Sequence, residues 1–116
     1  MTAYSLICCL KSGVHYIIRY TLQCMIQGFL CAETQALFEI GKSRRFFSIA
    51  NVAVRKLVQL DAAETLAFLR APPGNRLEAL KGDREGQHSM RINDQYRLCF
   101  RWTTSGPENV EIVDYH

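Results

Sequence analysis

The sequence predicts an α+β domain: two helices followed by a small, mostly antiparallel β-sheet. Three observations carry this. Apolar residues recur at helical spacing between residues 32 and 62, the breaker "APPGN" (71–75) ends that pattern, and the remainder divides into short apolar runs separated by Gly, Asn and Asp. Helices that precede a meander are expected to cover one face of its sheet. With 116 residues, 48% hydrophobic and 22% charged, the chain fits one domain with a modest core and excludes a disordered tail or a membrane protein.

The first element is "MIQGFL", from Met25, which reads as an edge strand. "AETQALFEIG" follows, with Ala36, Leu37 and Ile40 on one helical stripe and Gly41 as a C-terminal stop. "KSRRF" is a basic link. In "SIANVAVRKLVQLDAA" the stripe is Ile49, Val52, Ala53, Leu57 and Leu60, with Ser48 placed to cap the start and Arg55, Lys56 and Gln59 left on other faces. Proline fixes φ and disfavours helix in the residue before it, so "APPGN" closes the helical half. Strands are then expected at "RLEAL", "QHSMRI", "YRLCFRWTT" and "VEIVDYH", joined by turns at "KGDREG", "NDQ" and "SGPEN". No internal repeat or low-complexity tract interrupts this order.

Residues 1–24 differ from the rest. They hold three of the five cysteines and only Lys11 and Arg19 as charges, in two apolar runs broken by Ser12-Gly13. They lack the basic n-region and cleavage site of a secretory signal, and the unbroken apolar stretch of about 20 residues that a spanning helix needs. The expectation is an upstream in-frame extension of a domain that begins at Met25. Without Lys11 and Arg19 the net charge falls from +3 to +1, so bulk charge does not identify a polyanion partner. Cys8, Cys9, Cys24, Cys31 and Cys99 are odd in number and form no CxxC pair, which suits reduced thiols in a cytoplasmic protein, and no metal site is expected from their spacing or from His15, His88 and His116.

Strand alternation carries more information. It puts His88, Met90, Ile92, Tyr96, Leu98, Phe100 and Trp102 towards the helices, and Ser89, Arg91, Asn93, Arg97, Cys99 and Arg101 on the opposite face. Arginines gathered on one sheet surface repel one another unless carboxylates or an anionic ligand offset them. Two readings stay open: a solvated face with Glu78 or Glu111 as partners, and a polyanion site in which the planar guanidinium fork suits phosphate. Among the histidines, His116 ends the chain directly after a strand and titrates near neutral pH, whereas His88 belongs to the packed side.

"PPGNRLEALKGDREGQHSMRINDQYRLCFRW" followed by "VEIVDYH" resembles the plasmid maintenance system killer proteins, the HigB branch of the RelE/ParE toxin superfamily, over residues 25–116. The resemblance implies a RelE-like fold and a small toxin that cleaves messenger RNA, typically on the ribosome, and is neutralised by a helix-turn-helix, HigA-like antitoxin encoded beside it. Operator DNA would be contacted only through the toxin–antitoxin complex, and neither cofactor nor membrane is implied. Lys81 matches the family lysine of the glycine turn, Arg97 the arginine of the next strand, and Asp114, Tyr115 and His116 the C-terminal trio. Glu78 stands where studied relatives carry histidine. Asn93 stands where they carry arginine, with Arg91 two residues earlier on the same face.

Metal-free RNA cleavage needs a base for the 2′-hydroxyl, positive charge at the phosphoryl oxygens and an acid for the departing 5′-oxygen. The resemblance assigns catalysis to Arg97, His116, Lys81 and Glu78, with His116 the leading acid/base group and Glu78 the second. It assigns RNA contacts to Arg84, Arg91, Asn93, Asp114 and Tyr115, and Tyr115 could stack on a base. Arg45, in the basic link, is expected to assist ribosome or antitoxin association. The alternatives are a ParE-like inhibitor of DNA gyrase, or an inactive relative that only binds antitoxin and helps repress its operon.

Overall fold

The computed structural model describes residues 25–114. The chain runs through helix α1 (Ala32–Ile40), helix α2 (Ala50–Ala62), the short helix α3 (Leu66–Arg70), and strands β1 (Glu78–Ala79), β2 (Gln87–Arg91), β3 (Tyr96–Thr103) and β4 (Gly106–Asp114). The four strands form one antiparallel sheet in sequence order. The expected α+β class holds, with α3 as an element that the periodicity did not separate from the breaker. Thr65 starts α3 by accepting a hydrogen bond from the Phe68 amide through its hydroxyl (3.2 Å).

α1 ends as its sequence demands. Gly41 adopts φ 73°, and its N–H closes on the Leu37 carbonyl at 2.9 Å. The buried positions of α1 are Thr34 and Leu37, whereas Ile40 is 65% exposed and leaves the predicted stripe. In α2 the expected stripe is present: Ala53, Leu57 and Leu60 are completely buried, and Ile49 lies just before the helix. Ser48 caps nothing, because the chain enters α2 through a 3₁₀ turn at Phe47–Ile49. These residues meet Met90, Leu98, Phe100, Val110 and Ile112 from the sheet in one core. Each fully buried Leu or Phe there contributes about 1.5–3 kcal/mol.

The predicted "RLEAL" strand shrinks to two residues, because Arg76 turns left-handed (φ 44°) immediately before it. The "SGPEN" turn is tighter than expected. Only Thr104 and Ser105 form the connection, and Gly106 and Pro107 already belong to β4. Between Cys99 and Arg101 the β3–β4 register shifts, and Asn109 supplies the left-handed residue (φ 54°) of that bulge.

The segment 25–30 covers the free edge of β4 as expected of an edge strand, but through a single parallel bridge, Phe29 with Val110, rather than a full strand. Its backbone bonds are Gln27 N–H to Pro107 C=O (2.7 Å), Val110 N–H to Gly28 C=O (3.1 Å) and Leu30 N–H to Val110 C=O (2.9 Å). This closeness explains Gly106: at φ 129°, a Cβ there would lie 2.2 Å from the Met25 carbonyl oxygen. Beyond the segment, the Thr34 hydroxyl accepts from the Ile112 amide (3.1 Å).

The segment is also tied to α2, where the Asp61 carboxylate accepts from the Ile26 amide at 3.0 Å. Burial pushes the Asp61 carboxyl above its ordinary range, and the Ile26 bond only partly opposes this. The folded chain therefore holds the Asp61 proton more tightly than the unfolded chain, so this residue's contribution to stability improves as pH falls into the carboxylate range and worsens as pH rises. Asp61→Asn keeps an acceptor for Ile26 without the buried charge. Its urea midpoint should gain on that of the parent chain as pH is raised from about 4 to 7. A difference that stays constant across that range contradicts the assignment.

Candidate active site

Register assembles the face of the sheet that points away from the helices. Glu78, Ser89, Cys99 and Glu111 form one cross-strand row, and Arg91, Arg97 and Val113 form the next. The alternation read from the sequence is correct, but this face is not a solvated plane. Ser89 and Cys99 are completely buried and Arg97 is 9% exposed.

Arg97 is held on several sides. Its Nε donates to Ser89 Oγ (2.8 Å), and Nη2 donates to the carbonyls of Arg76 (2.7 Å) and Ser89 (3.4 Å). Glu78 Oε1 lies 3.8 Å from Nη2, with the Glu78 side chain 57% exposed. A buried guanidinium so fixed has lost its rotamer freedom before any ligand arrives, the condition under which a cation stabilises developing charge without reorganising.

The Arg76 carbonyl takes its place from the turn that precedes it. Pro72 to Asn75 close a 3₁₀ turn, and Arg76 caps it in the left-handed conformation. Asn75, completely buried, anchors that turn to both helices beneath it. Its Nδ2 donates to the Leu69 carbonyl (2.9 Å) and to Gln59 Oε1 (3.1 Å), and its Oδ1 accepts from Lys56 Nζ. Lys56 and Gln59 therefore face the turn. Burial, then Arg55 and then Arg91, lower the Lys56 ammonium below the usual lysine range. Asn75, Lys56, Gln59 and Ser89 were missed as supports of the site. A buried-polar role for the Asn of "PPGN" has no signature in spacing alone.

Arg84 Nη1 donates to Glu111 Oε2 (3.0 Å) and Gln87 Oε1 (3.1 Å), tying the glycine turn to β2 and β4. Arg91 pairs with Asp94, and Gln95 Nε2 donates to Asp114 Oδ2 (3.0 Å) at the end of β4. The carboxamide oxygen of Asn93 accepts from the amides of Gln95 (2.8 Å) and Tyr96 (2.7 Å) and so shapes the turn between β2 and β3. Lys81, at the start of the Gly82–Arg84 turn, is exposed, and among the described residues its side chain makes no hydrogen bond or ion pair. Tyr115 and His116 lie outside the described residues. Arg84, Arg91 and Arg97 are thus compensated by Glu111, Asp94 and Glu78, whereas Arg101 and Lys81 are exposed and, among the described residues, have no carboxylate partner.

Two other groups are placed by their surroundings. Burial pushes the Cys99 thiol up to about 11, with Glu111 adding to the shift and Arg84 and Arg97 opposing it, so Cys99 is a protonated packing residue and no nucleophile. His88 stacks on Phe100 with ring centroids 6.2 Å apart, on the packed side as expected. Burial, and then the charge of Arg70, lower its pKa below the usual histidine range.

Residues 32–116 match the family described as the RelE-like toxin of type II toxin-antitoxin system HigB. The chain belongs to this family. It is 47% identical over 70 residues to Toxin HigB-1 of Vibrio cholerae serotype O1, covering 59% of this chain and 74% of that protein. It is 35% identical over 63 residues to an uncharacterized protein of Haemophilus influenzae, covering 54% and 62% of the two chains. As a HigB-like toxin the chain has an antitoxin as its partner. Among the described residues, no helix is long and apolar enough to cross a membrane.

Asn75→Ala removes the acceptor of a half-buried ammonium and the donor to the Leu69 carbonyl together. It should cost about 2–3 kcal/mol in urea denaturation, as expected when buried polar partners are stranded. A loss below about 0.5 kcal/mol, the range of an ordinary surface change, would show that the turn is held by other contacts.

Proposed function

We propose that this HigB-like toxin is an endoribonuclease that cuts messenger RNA on the ribosome without a metal ion and thereby halts translation. The observation that carries the reading is the buried, pre-oriented guanidinium of Arg97 on the outer sheet face, 3.8 Å from the half-exposed Glu78. The sequence places Tyr115 and His116 directly after β4.

The reaction divides into three tasks. A base removes the proton of a 2′-hydroxyl, whose oxygen attacks the adjacent phosphorus. The bond from phosphorus to the 5′-oxygen breaks, and an acid delivers a proton to that oxygen, leaving a 2′,3′-cyclic phosphate and a 5′-hydroxyl. Arg97 and Lys81 supply positive charge to the phosphoryl oxygens. His116 moves the proton to the leaving oxygen, and Glu78, half-exposed beside Arg97, is the base. Phosphate approaching Arg97 competes with Glu78 for the same guanidinium, which frees the carboxylate as the substrate binds. Arg84, Arg91, Asn93 and Asp114 line the path of the strand, and Tyr115 stacks on a base. The antitoxin is a HigA-like helix-turn-helix protein, through which the pair reaches operator DNA, and the toxin acts in the cytoplasm.

Mapping messenger RNA 5′ ends minutes after induction without antitoxin tests this. Cuts phased to codons, carrying 5′-hydroxyls, are expected. Arg97→Ala and His116→Ala should each lower cleavage by about 10²-fold or more and relieve growth arrest, while antitoxin still co-purifies. Intact transcripts with altered plasmid supercoiling would instead assign the chain to gyrase inhibition, and full toxicity of both variants would remove the proposed site.

A further inference from the structure

The helical side of the domain carries a second feature that the sheet chemistry does not use. Between the end of α1 and the start of α2 lies an open groove of about 910 Å³ with Ala36, Ile40, Phe47, Ile49 and Val52 in its wall. Ile40 is 65% exposed and Phe47 81%, two large apolar side chains on one short stretch of surface. The loop beneath them is built. Ser43 donates its hydroxyl to Glu33 Oε1 (2.5 Å) and accepts from the Phe46 amide (3.2 Å), and Arg45 lies 5.1 Å from the centre of the buried Phe46 ring. Lys42 and Arg44 line the groove against one carboxylate, Glu33, which accepts from Ser43, so the rim is positive by one charge.

We propose that this groove docks an amphipathic segment of the antitoxin whose apolar side chains are flanked by carboxylates, an inference that rests on the chain's being a toxin with a protein partner. The rim charge decides among occupants. Residues 1–24 contain Lys11 and Arg19 and no Asp or Glu, so they would bring like charge to the rim. A second copy seated face to face would set Lys42 and Arg44 against themselves. RNA would find cations on one side only and an aliphatic wall that offers its phosphates nothing. Apolar anchors in a pocket with an oppositely charged surround satisfy both the wall and the rim. No residue of the groove belongs to the sheet, so docking there leaves the surroundings of Arg97 unchanged.

The test uses the full chain and the helix-turn-helix protein encoded beside it, with binding measured by titration. Ile40→Ser with Phe47→Ser should weaken binding by about tenfold or more, as truncated anchors do, and both positions are exposed enough to change without unfolding the domain. Lys42→Glu with Arg44→Glu should also weaken it, and that loss should shrink as salt is raised. Phe68→Ser, at an exposed apolar residue on α3, should bind as the parent does. Groove variants within about twofold of the parent overturn the proposal while leaving the toxin reading intact. Failure of the parent itself to bind that protein overturns both. Variants that keep antitoxin but lose ribosome association, change the toxin's own mass in solution, or selectively expose residues 1–24 to protease assign the groove to RNA, a second copy or the chain's own segment, and each overturns it.

Discussion

The buried carboxamide of Asn75 is the contact on which the sheet face depends. It bonds α2 through Lys56 and Gln59 and the end of α3 through the Leu69 carbonyl, and so fixes a turn that has little regular structure of its own. The Arg76 carbonyl leaves that turn at a left-handed residue and receives the Arg97 guanidinium. A polar group in a core is tolerated only when its partners are complete, and completing them forces helices and sheet into one register. Arg97 is therefore as much a product of the helical half as of the strand that bears it.

The same arrangement reconciles a crowded basic surface with a modest net charge. Packed close together, uncompensated arginines would destabilise the sheet, yet Arg84, Arg91 and Arg97 each have a carboxylate within reach, and Arg101 relieves its charge by standing exposed. Only the Arg97 pair sets a nearly buried cation against a half-exposed anion. In the proposed reaction an incoming phosphate replaces Glu78 there while the bonds to Ser89 and Arg76 stay in place. Storing the charge in this form keeps the empty face stable and the guanidinium aimed.

Much of the fold was legible because it rests on periodicity. The stripe of α2, the glycine stop of α1 and the alternation of β2 and β3 each follow from a repeating apolar pattern, and Met90, Leu98 and Phe100 lie where that pattern puts them. The failures lie where a single backbone angle or a tertiary partner decides. Arg76 shortens β1 by adopting φ 44°, Ser48 loses its cap to a 3₁₀ entry, and Ile40 leaves its stripe because the chain reverses one residue later. For the site, the motif letters pointed to Arg97, Lys81 and Glu78, and of these the structure brings Arg97 and Glu78 within 3.8 Å of each other. Ser89 and Asn75 were illegible because their work is done by hydrogen bonds across 8 and 6 to 19 residues of sequence.

In the proposed cleavage reaction, Arg97 acts through its fixed fork rather than through charge alone. Single-turnover cleavage of ribosome-bound messenger RNA by Arg97→Lys tests it most directly. A lysine keeps the charge but cannot reproduce the simultaneous Nε bond to Ser89 and Nη2 bond to Arg76, so its rate should fall by about 10²-fold, close to that of the alanine variant. A lysine variant that cleaves within about threefold of the parent would contradict the account, because a difference that small leaves no role for the guanidinium's geometry.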